Sequence, residues 1–175
     1  MASVPGSKGM TQTITSAATS LNQVPRLFRK LVWDRGMINL DIGGGKYDKA
    51  TDYLHGLGVH NFVYDPFNRD SDHNAKVWGL LVASRMADTA TLSNVLNVIR
   101  FKSDRIEALK VAADAIGSDG FCFITVYEGD RSGRGKRTTK GWQCNRKLAS
   151  YLKEVREVFS SASVQPGGVI VAYND

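Results

Sequence analysis

Two cysteines and three histidines are all that 175 residues supply for thiolate or imidazole chemistry. Cys122 stands in an apolar run and Cys144 in a basic one, too few and too ill-spaced for a disulfide framework or a thiolate metal site. His55, His60 and His73 lack ligand spacing of the H-E-x-x-H kind, so no metal is expected and a zinc enzyme is excluded. No apolar run approaches the roughly 18 to 20 residues of a bilayer-crossing helix, and the N-terminus has no apolar signal region. These absences predict a cytoplasmic chain with two free thiols and no membrane association.

Acidic residues are missing from two stretches. Residues 1–31 hold four bases and no acid, and residues 131–156 hold nine Lys or Arg against Glu154 alone. Across the whole chain 23 basic residues face 17 acidic ones, so the remainder is an acidic body with two basic appendages. Segregation of this kind suits an anionic partner held by one face, with nucleic acid first and an acidic membrane or protein second. A solvated basic loop without a partner is the bland alternative. The 42% hydrophobic content is ordinary for one soluble domain.

Residues 1–24, rich in Ser, Thr, Gly and Ala, read as a flexible N-terminal arm, and residues 25–175 as a single domain carrying a basic loop at 129–141. Met37 to Ile42 reads as a buried strand that breaks at Gly43-Gly44-Gly45, and Ala50, Tyr53, Leu54 and Leu57 then recur at helical spacing. His60 to Asp65 is a second strand, stopped by Pro66. Asp72 is placed to cap a helix running to about Arg85, and Thr89 to Ile99 forms an apolar run. Ser103 is placed to cap a helix striped by Ile106, Leu109, Ala113 and Ile116; Phe121 to Tyr127 is strand-like, and Leu148, Tyr151, Leu152, Val155 and Phe159 mark an amphipathic helix. Pro166-Gly167-Gly168 turns the chain into a last strand, Val169 to Tyr173. Strands alternating with helices predict an α/β fold: a doubly wound, mainly parallel sheet with helices on both faces and an antiparallel C-terminal edge strand.

Ligands of such sheets bind beyond the carboxyl ends of the strands, where Asp41-Ile42-Gly43-Gly44-Gly45-Lys46-Tyr47-Asp48 lies. A phosphate-binding P-loop is excluded because Tyr47 follows Lys46, without the required spacing or the magnesium hydroxyl. A dinucleotide fingerprint would need a small residue at 48, and Asp48 would put negative charge where a pyrophosphate belongs. An acidic strand end with an open glycine turn suits a cationic ligand instead. Asp41 as a buried acid, Asp48 as a helix cap and Asp65 as a turn former are the structural alternatives.

The string LDIGGGKYD resembles the first motif of the Rossmann-like, class I S-adenosylmethionine-dependent methyltransferases. Asp65, twenty residues beyond Gly45, matches that family's ribose-binding acid, and SNVLNVI, Ser93 to Ile99, is similar to its fourth-strand motif. The resemblance covers about residues 37–128 and implies S-adenosylmethionine as cofactor, held by Asp41, Gly43, Gly44, Gly45, Tyr47, Asp48, Asp65, Pro66, Asn94 and Val95. Only about 22 residues separate Asp65 from Asp88, so one strand and its adenine-contacting turn are missing or displaced, and the sheet is a reduced one. Arg85 to Asp88 is the nearest candidate for the adenine site.

Methyl transfer depends largely on positioning, so no nucleophile triad is required. Neither cysteine follows a proline, which argues against methylation of cytosine carbon. The candidate acceptor-side residues are Asn94, Tyr127 and Glu128, with Asn94 bonding backbone and Tyr127 packing as the plainer readings. Arg131, Arg134, Lys136, Arg137 and Lys140 would bind nucleic acid beside the cofactor mouth, with Trp142 as a stacking face or a hydrophobic anchor. The expected function is methylation of nucleic acid or a nucleotide-like acceptor. The alternatives are a non-catalytic module binding nucleic acid or protein through the basic loop, and an enzyme that consumes the cofactor in another way.

Overall fold

The structure, a computed structural model, describes residues 19–84 and 86–175. Most of the expected N-terminal arm therefore lies outside the described residues, as does Arg85. The chain runs α1 (Arg26–Lys30), β1 (Ile38–Ile42), α2 (Lys49–Gly56), β2 (His60–Tyr64), α3 (Ser71–Ala83), β3 (Ala87–Ser93), α4 (Lys102–Ala115), β4 (Ile116–Thr125), β5 (Lys136–Thr138), β6 (Gly141–Gln143), a 3-10 turn at Leu148–Tyr151, α5 (Leu152–Val155), β7 (Ser161–Gln165) and β8 (Val169–Tyr173). Six strands form one sheet in the order β2-β1-β3-β4-β8-β7, and β5 pairs with β6 in a separate hairpin. β1 to β4 are parallel, and β8 runs antiparallel to both β4 and β7. This is the doubly wound, mainly parallel sheet that the alternation predicts. The antiparallel C-terminal strand is present as half of the β7–β8 hairpin that closes one edge. β7 lies outermost and was not foreseen, because Ser161-Ala162-Ser163 has no apolar alternation.

Side chains alternate across the sheet. On β1 and β3 the residues Leu40, Ile42, Ala90 and Leu92 enter the larger core with α3, α4 and the 3-10 turn. A second core on the other face joins Leu27 and Phe28 of α1 to Ala50, Leu54, Val59 and Val169. Both faces are thus covered, which a parallel sheet requires. The intervening residues Asn39, Asp41, Thr89 and Thr91 are buried although polar.

Several local expectations are revised. Asp70, not Asp72, caps α3, its carboxylate accepting the His73 amide at 2.7 Å. The apolar run from Thr89 stops being strand at Ser93, and the helix expected through Phe159 is only the 3-10 turn followed by α5. Buried apolar side chains and a buried ion pair both tie that short segment to the body. Arg105 of α4 makes a double hydrogen bond with Glu154 at 2.7 and 3.0 Å, and Arg146 reaches the same carboxylate at 2.8 Å. Among the described residues no helix is long and apolar enough to cross a membrane.

Among the described residues no strand lies between β2 and β3, consistent with the short spacing from Asp65 to Asp88, and none of them pairs with the outer edge of β2. α3 covers part of what a neighbouring strand would satisfy. The His73 ring pairs with the Val63 carbonyl at 2.9 Å, and the Asn74 amide accepts from the Asp65 N–H and donates to the Asp65 carbonyl. Exposed sheet edges invite association, and side-chain capping removes their free polar groups. His73→Ala is expected to cost about 1 kcal/mol in urea unfolding, with a bonded carbonyl left bare. An unchanged midpoint would show that the cap carries no energy.

Candidate functional site

A cleft of about 770 Å3 opens at the carboxyl ends of β1, β2, β3 and β4. That volume is in the range of small-molecule sites. Its floor is the turn after β1. Gly43 donates its amide to the Tyr64 carbonyl at 2.8 Å, binding the turn to the end of β2. Gly43 has φ +70°, a conformation that L side chains rarely adopt, and a Cβ there would lie 2.8 Å from Val95. A Cβ on Gly44 would overlap the Asp41 carboxylate and press on Val63. Glycine at 44 is what leaves the space above that carboxylate open.

Asp41 is 2% exposed, and among the described residues its carboxylate accepts one hydrogen bond, from the Thr91 hydroxyl at 3.2 Å. Burial pushes the carboxyl up to about 7; the neighbouring Asp65 reinforces the rise, while the Thr91 bond and Arg69 oppose it. The group therefore faces the cleft short of partners, where a proton or a ligand cation would neutralise it.

Asp65 is the opposite case. Its Oδ1 accepts the Phe67 and Asn68 amides at 2.9 and 3.0 Å, and its Oδ2 accepts the Gly45 amide and the Asn68 side-chain amide, both at 2.9 Å. Those four donors fill the sites a carboxylate offers. Asp65 thus clamps the glycine turn to the loop after β2. Arg69 completes the clamp, its Nε reaching the Gly45 carbonyl at 3.0 Å and its guanidinium pairing with Asp48 at 2.6 Å.

The cleft brings together Asp41, Gly43, Gly44, Gly45, Tyr47, Asp65 and Pro66, and from the other side Asn94, Val95 and Tyr127. Asn94 sits at φ +61° just after β3, its amide on the Thr125 carbonyl at 2.9 Å, which turns the chain across the mouth. Tyr127 is 65% exposed at the lip. Asp48 and Glu128 do not line the cleft. Asp48 is held by Arg69, whereas the Glu128 carboxylate accepts the Leu148 amide at 2.8 Å and pairs with Arg131 at 2.6 Å. The Leu148 N–H, aided by Arg131 and Lys147, holds the Glu128 carboxyl below its usual range.

The basic stretch is a ribbon rather than an unstructured loop. β5 and β6 pair Lys136 with Gln143 and Arg137 with Trp142. The Trp142 ring has Arg100 stacked 4.8 Å from its centroid and lies so near Gly135 that a Cβ there would overlap it. These contacts make Trp142 an anchor of the ribbon, with one ring face taken by Arg100. Arg131, Arg134, Lys136, Arg137 and Lys140 are exposed. Gln143 joins ribbon to cleft: it lines the cleft, donates to the Tyr127 carbonyl at 2.9 Å and accepts from Asn97 at 3.2 Å.

Sequence reasoning missed the contribution of the N-terminal segment. Thr19, Ser20, Leu21 and Gln23 line the cleft, and the Ser20 hydroxyl accepts the Lys46 amide at 3.0 Å. The buried pair Leu27 and Phe28, with the Trp33 ring edge-on to Phe28, anchors the segment, and these apolar residues were its only sequence signal. Polar residues 19–23 carry no periodicity to betray a wall position. Asn97, Gln143 and the α4 residues Ala108 and Val111 were also missed, since they come from distant elements.

No protein-family model and no curated protein matches the sequence. Solved structures do match the fold. The chain is similar to a 1,6-didemethyltoxoflavin-N1-methyltransferase from Burkholderia thailandensis, solved with bound 1,6-didemethyltoxoflavin and S-adenosylhomocysteine, at 16% identity and TM-score 0.54 over 81% of this chain and 72% of that one. It is similar to the sugar N-methyltransferase KedS8 from a Streptoalloteichus species at 12% identity and TM-score 0.51, over 79% of this chain and 80% of that one. A third likeness is PigF, solved with SAH, at 15% identity and TM-score 0.58; it takes in 85% of this chain, which spans about half of that one, 53%. With β1 to β4 parallel and β8 inserted antiparallel, the chain has the Rossmann-like fold of the class I S-adenosylmethionine-dependent methyltransferases.

Proposed function

We propose that the protein is an S-adenosylmethionine-dependent methyltransferase acting on nucleic acid or a nucleotide-like acceptor. The observation that carries the reading is the Asp41 carboxylate, under-partnered beneath the space that Gly44 leaves open. A ligand with a cationic end supplies what that buried acid lacks. When bound, S-adenosylmethionine supplies an electrophilic methyl group. Asp41 and the turn from Gly43 to Gly45 would hold its amino-acid end, and Val95 would pack against it. Asp65 fits a ribose only by exchange: of its four donors, the Asn68 side-chain amide is the one that is not backbone, and rotation of that side chain would free a lone pair for a hydroxyl. Asn94 and Tyr127 stand at the mouth, where they orient an acceptor and exclude water. The two cysteines are free and buried, which suits a reducing, cytoplasmic setting.

Support for a nucleic-acid acceptor is the basic ribbon tied to the lip through Gln143. Changing Arg134, Lys136 and Arg137 together to Ala should leave S-adenosylmethionine binding intact. It should also reduce the salt slope of RNA or DNA binding by roughly 2 to 3. Equal retention by the triple variant removes the ribbon from the mechanism. A small-molecule acceptor is the second reading. It is favoured by Thr19, Ser20, Leu21 and Gln23, which wall the cleft, and by the small molecules named for two of the similar structures, 1,6-didemethyltoxoflavin and a sugar.

Calorimetric titration with S-adenosylmethionine and S-adenosylhomocysteine tests the cofactor. Absence of binding to both would sink the proposal and leave a binding module. A methyl-transfer assay against RNA, DNA and small nucleosides then separates a methyltransferase from an enzyme that consumes the cofactor otherwise.

A further inference from the structure

The polar residues buried in the sheet form one connected chain that ends on Asp41. Asn61 donates its amide to the Thr51 hydroxyl at 2.8 Å. Asn39 donates to the Asn61 amide oxygen at 2.7 Å and to the Thr91 hydroxyl at 3.1 Å, while its own oxygen accepts from Thr89 at 2.8 Å. Thr91 then donates to Asp41. Asn39 and Thr91 are fully buried, and the chain crosses β2, β1 and β3. It follows from the alternation of side chains, which places Asn39, Asp41, Thr89 and Thr91 on the same face.

Direction is fixed along this chain. Both hydrogens of the Asn39 amide are used, one of them on the Thr91 oxygen. A hydroxyl has a single hydrogen, and Asn39 occupies a lone pair of the Thr91 oxygen, not that hydrogen. The ionised Asp41 carboxylate has no hydrogen to give, so in that state the Thr91 hydrogen points at Asp41 and Thr91 acts there as a donor. A donor of fixed direction favours the charged carboxylate and holds its rotamer. Apolar residues would fill a sheet interior more cheaply, because each buried polar group must be satisfied.

We propose that Thr91, oriented by Asn39, is a positioning residue that holds the Asp41 carboxylate ready for the cationic end of the cofactor. The proposal rests on the cofactor reading above. The other charged groups acting on Asp41 are Asp65, which disfavours its ionisation, and Arg69, which favours it. Both are retained when Thr91 is changed.

The test compares Thr91→Val, which keeps the shape and removes the hydroxyl, with Thr91→Ser, which keeps the hydroxyl. S-adenosylmethionine binding is measured by calorimetry at pH 6, 7 and 8, with a thermal melt of each variant. Thr91→Val is expected to bind roughly tenfold more weakly, with the rise of affinity with pH displaced upward, and Thr91→Ser to restore the wild-type profile. Wild-type affinity and pH profile in Thr91→Val, or the same loss in Thr91→Ser, overturns the proposal. Should Thr91→Val fail to fold, Asn39→Leu provides the second arm. Its side chain cannot donate to Thr91 and adds no charge beside Asp41, and the same upward displacement of the profile is expected; an unmoved profile overturns the proposal. Failure of the wild-type protein to bind defeats the cofactor reading instead, so the two failures are distinguishable.

Discussion

Asp41→Asn is expected to weaken S-adenosylmethionine binding by roughly ten- to hundredfold while making the protein more stable at pH 8. Both effects come from one buried carboxyl. Its value is raised from 3.8 to about 7 by burial in the folded state. Between those values the unfolded chain releases the proton and the folded protein keeps it, so stability falls as pH climbs from about 4 to about 7 and then levels. The full shift corresponds to at most about 4 kcal/mol. Asparagine still accepts from Thr91 and carries no charge, so its melting temperature should exceed wild type at pH 8 and converge with it near pH 4. A ligand cation cancels the same penalty in the native protein, which is how a site that costs stability gains affinity. Equal binding by Asp41→Asn would remove the carboxylate from the site. Equal stability at pH 8 would mean that water reaches it.

Glu154→Ala is expected to produce the largest loss of stability, about 3 to 5 kcal/mol, read as a shift of the urea midpoint. Arg105 and Glu154 have only 6% and 7% of their side-chain surfaces exposed, and removing the carboxylate strands a buried guanidinium. Burial pushes the Glu154 carboxyl up, but the Arg105 and Arg146 guanidiniums outweigh it and hold the group below its usual range. The sign is thus opposite to that of Asp41: this contribution is present above the ordinary carboxylate range and is lost as pH falls through the lowered folded-state value. The segment at stake is the short 3-10 turn and α5, which carry Tyr151 and Val155 into the core. A loss below 1 kcal/mol would show that the apolar contacts hold this segment without the ion pairs.

These two carboxylates mark the limit of reading function from pattern. Asp41 was singled out because it ends a strand ahead of three glycines, a local arrangement. Glu154 carried no signal, since its partners stand 8 and 49 residues away. The family resemblance implied Asp65 as a ribose ligand, yet the folded chain surrounds it with its own donors. Trp142 was weighed between stacking face and anchor; the contacts that favour the anchor, Arg100 and Gly135, come from other segments.

Periodicity and glycine placement alone determined the alternating α/β order, the sheet type and the turn after β1, because each depends on residues within a few turns of one another; the shortened middle was legible only against the resembled family's pattern. Strand order beyond β4, the outer strand β7, the basic ribbon and the wall formed by residues 19–23 were decided by the tertiary structure. Those features rest on contacts between segments far apart in the chain, and hydrophobic period carries no information about which distant surfaces meet. The same holds for the polar chain from Thr51 to Asp41: each member looks like an ordinary strand residue until the sheet sets three strands side by side.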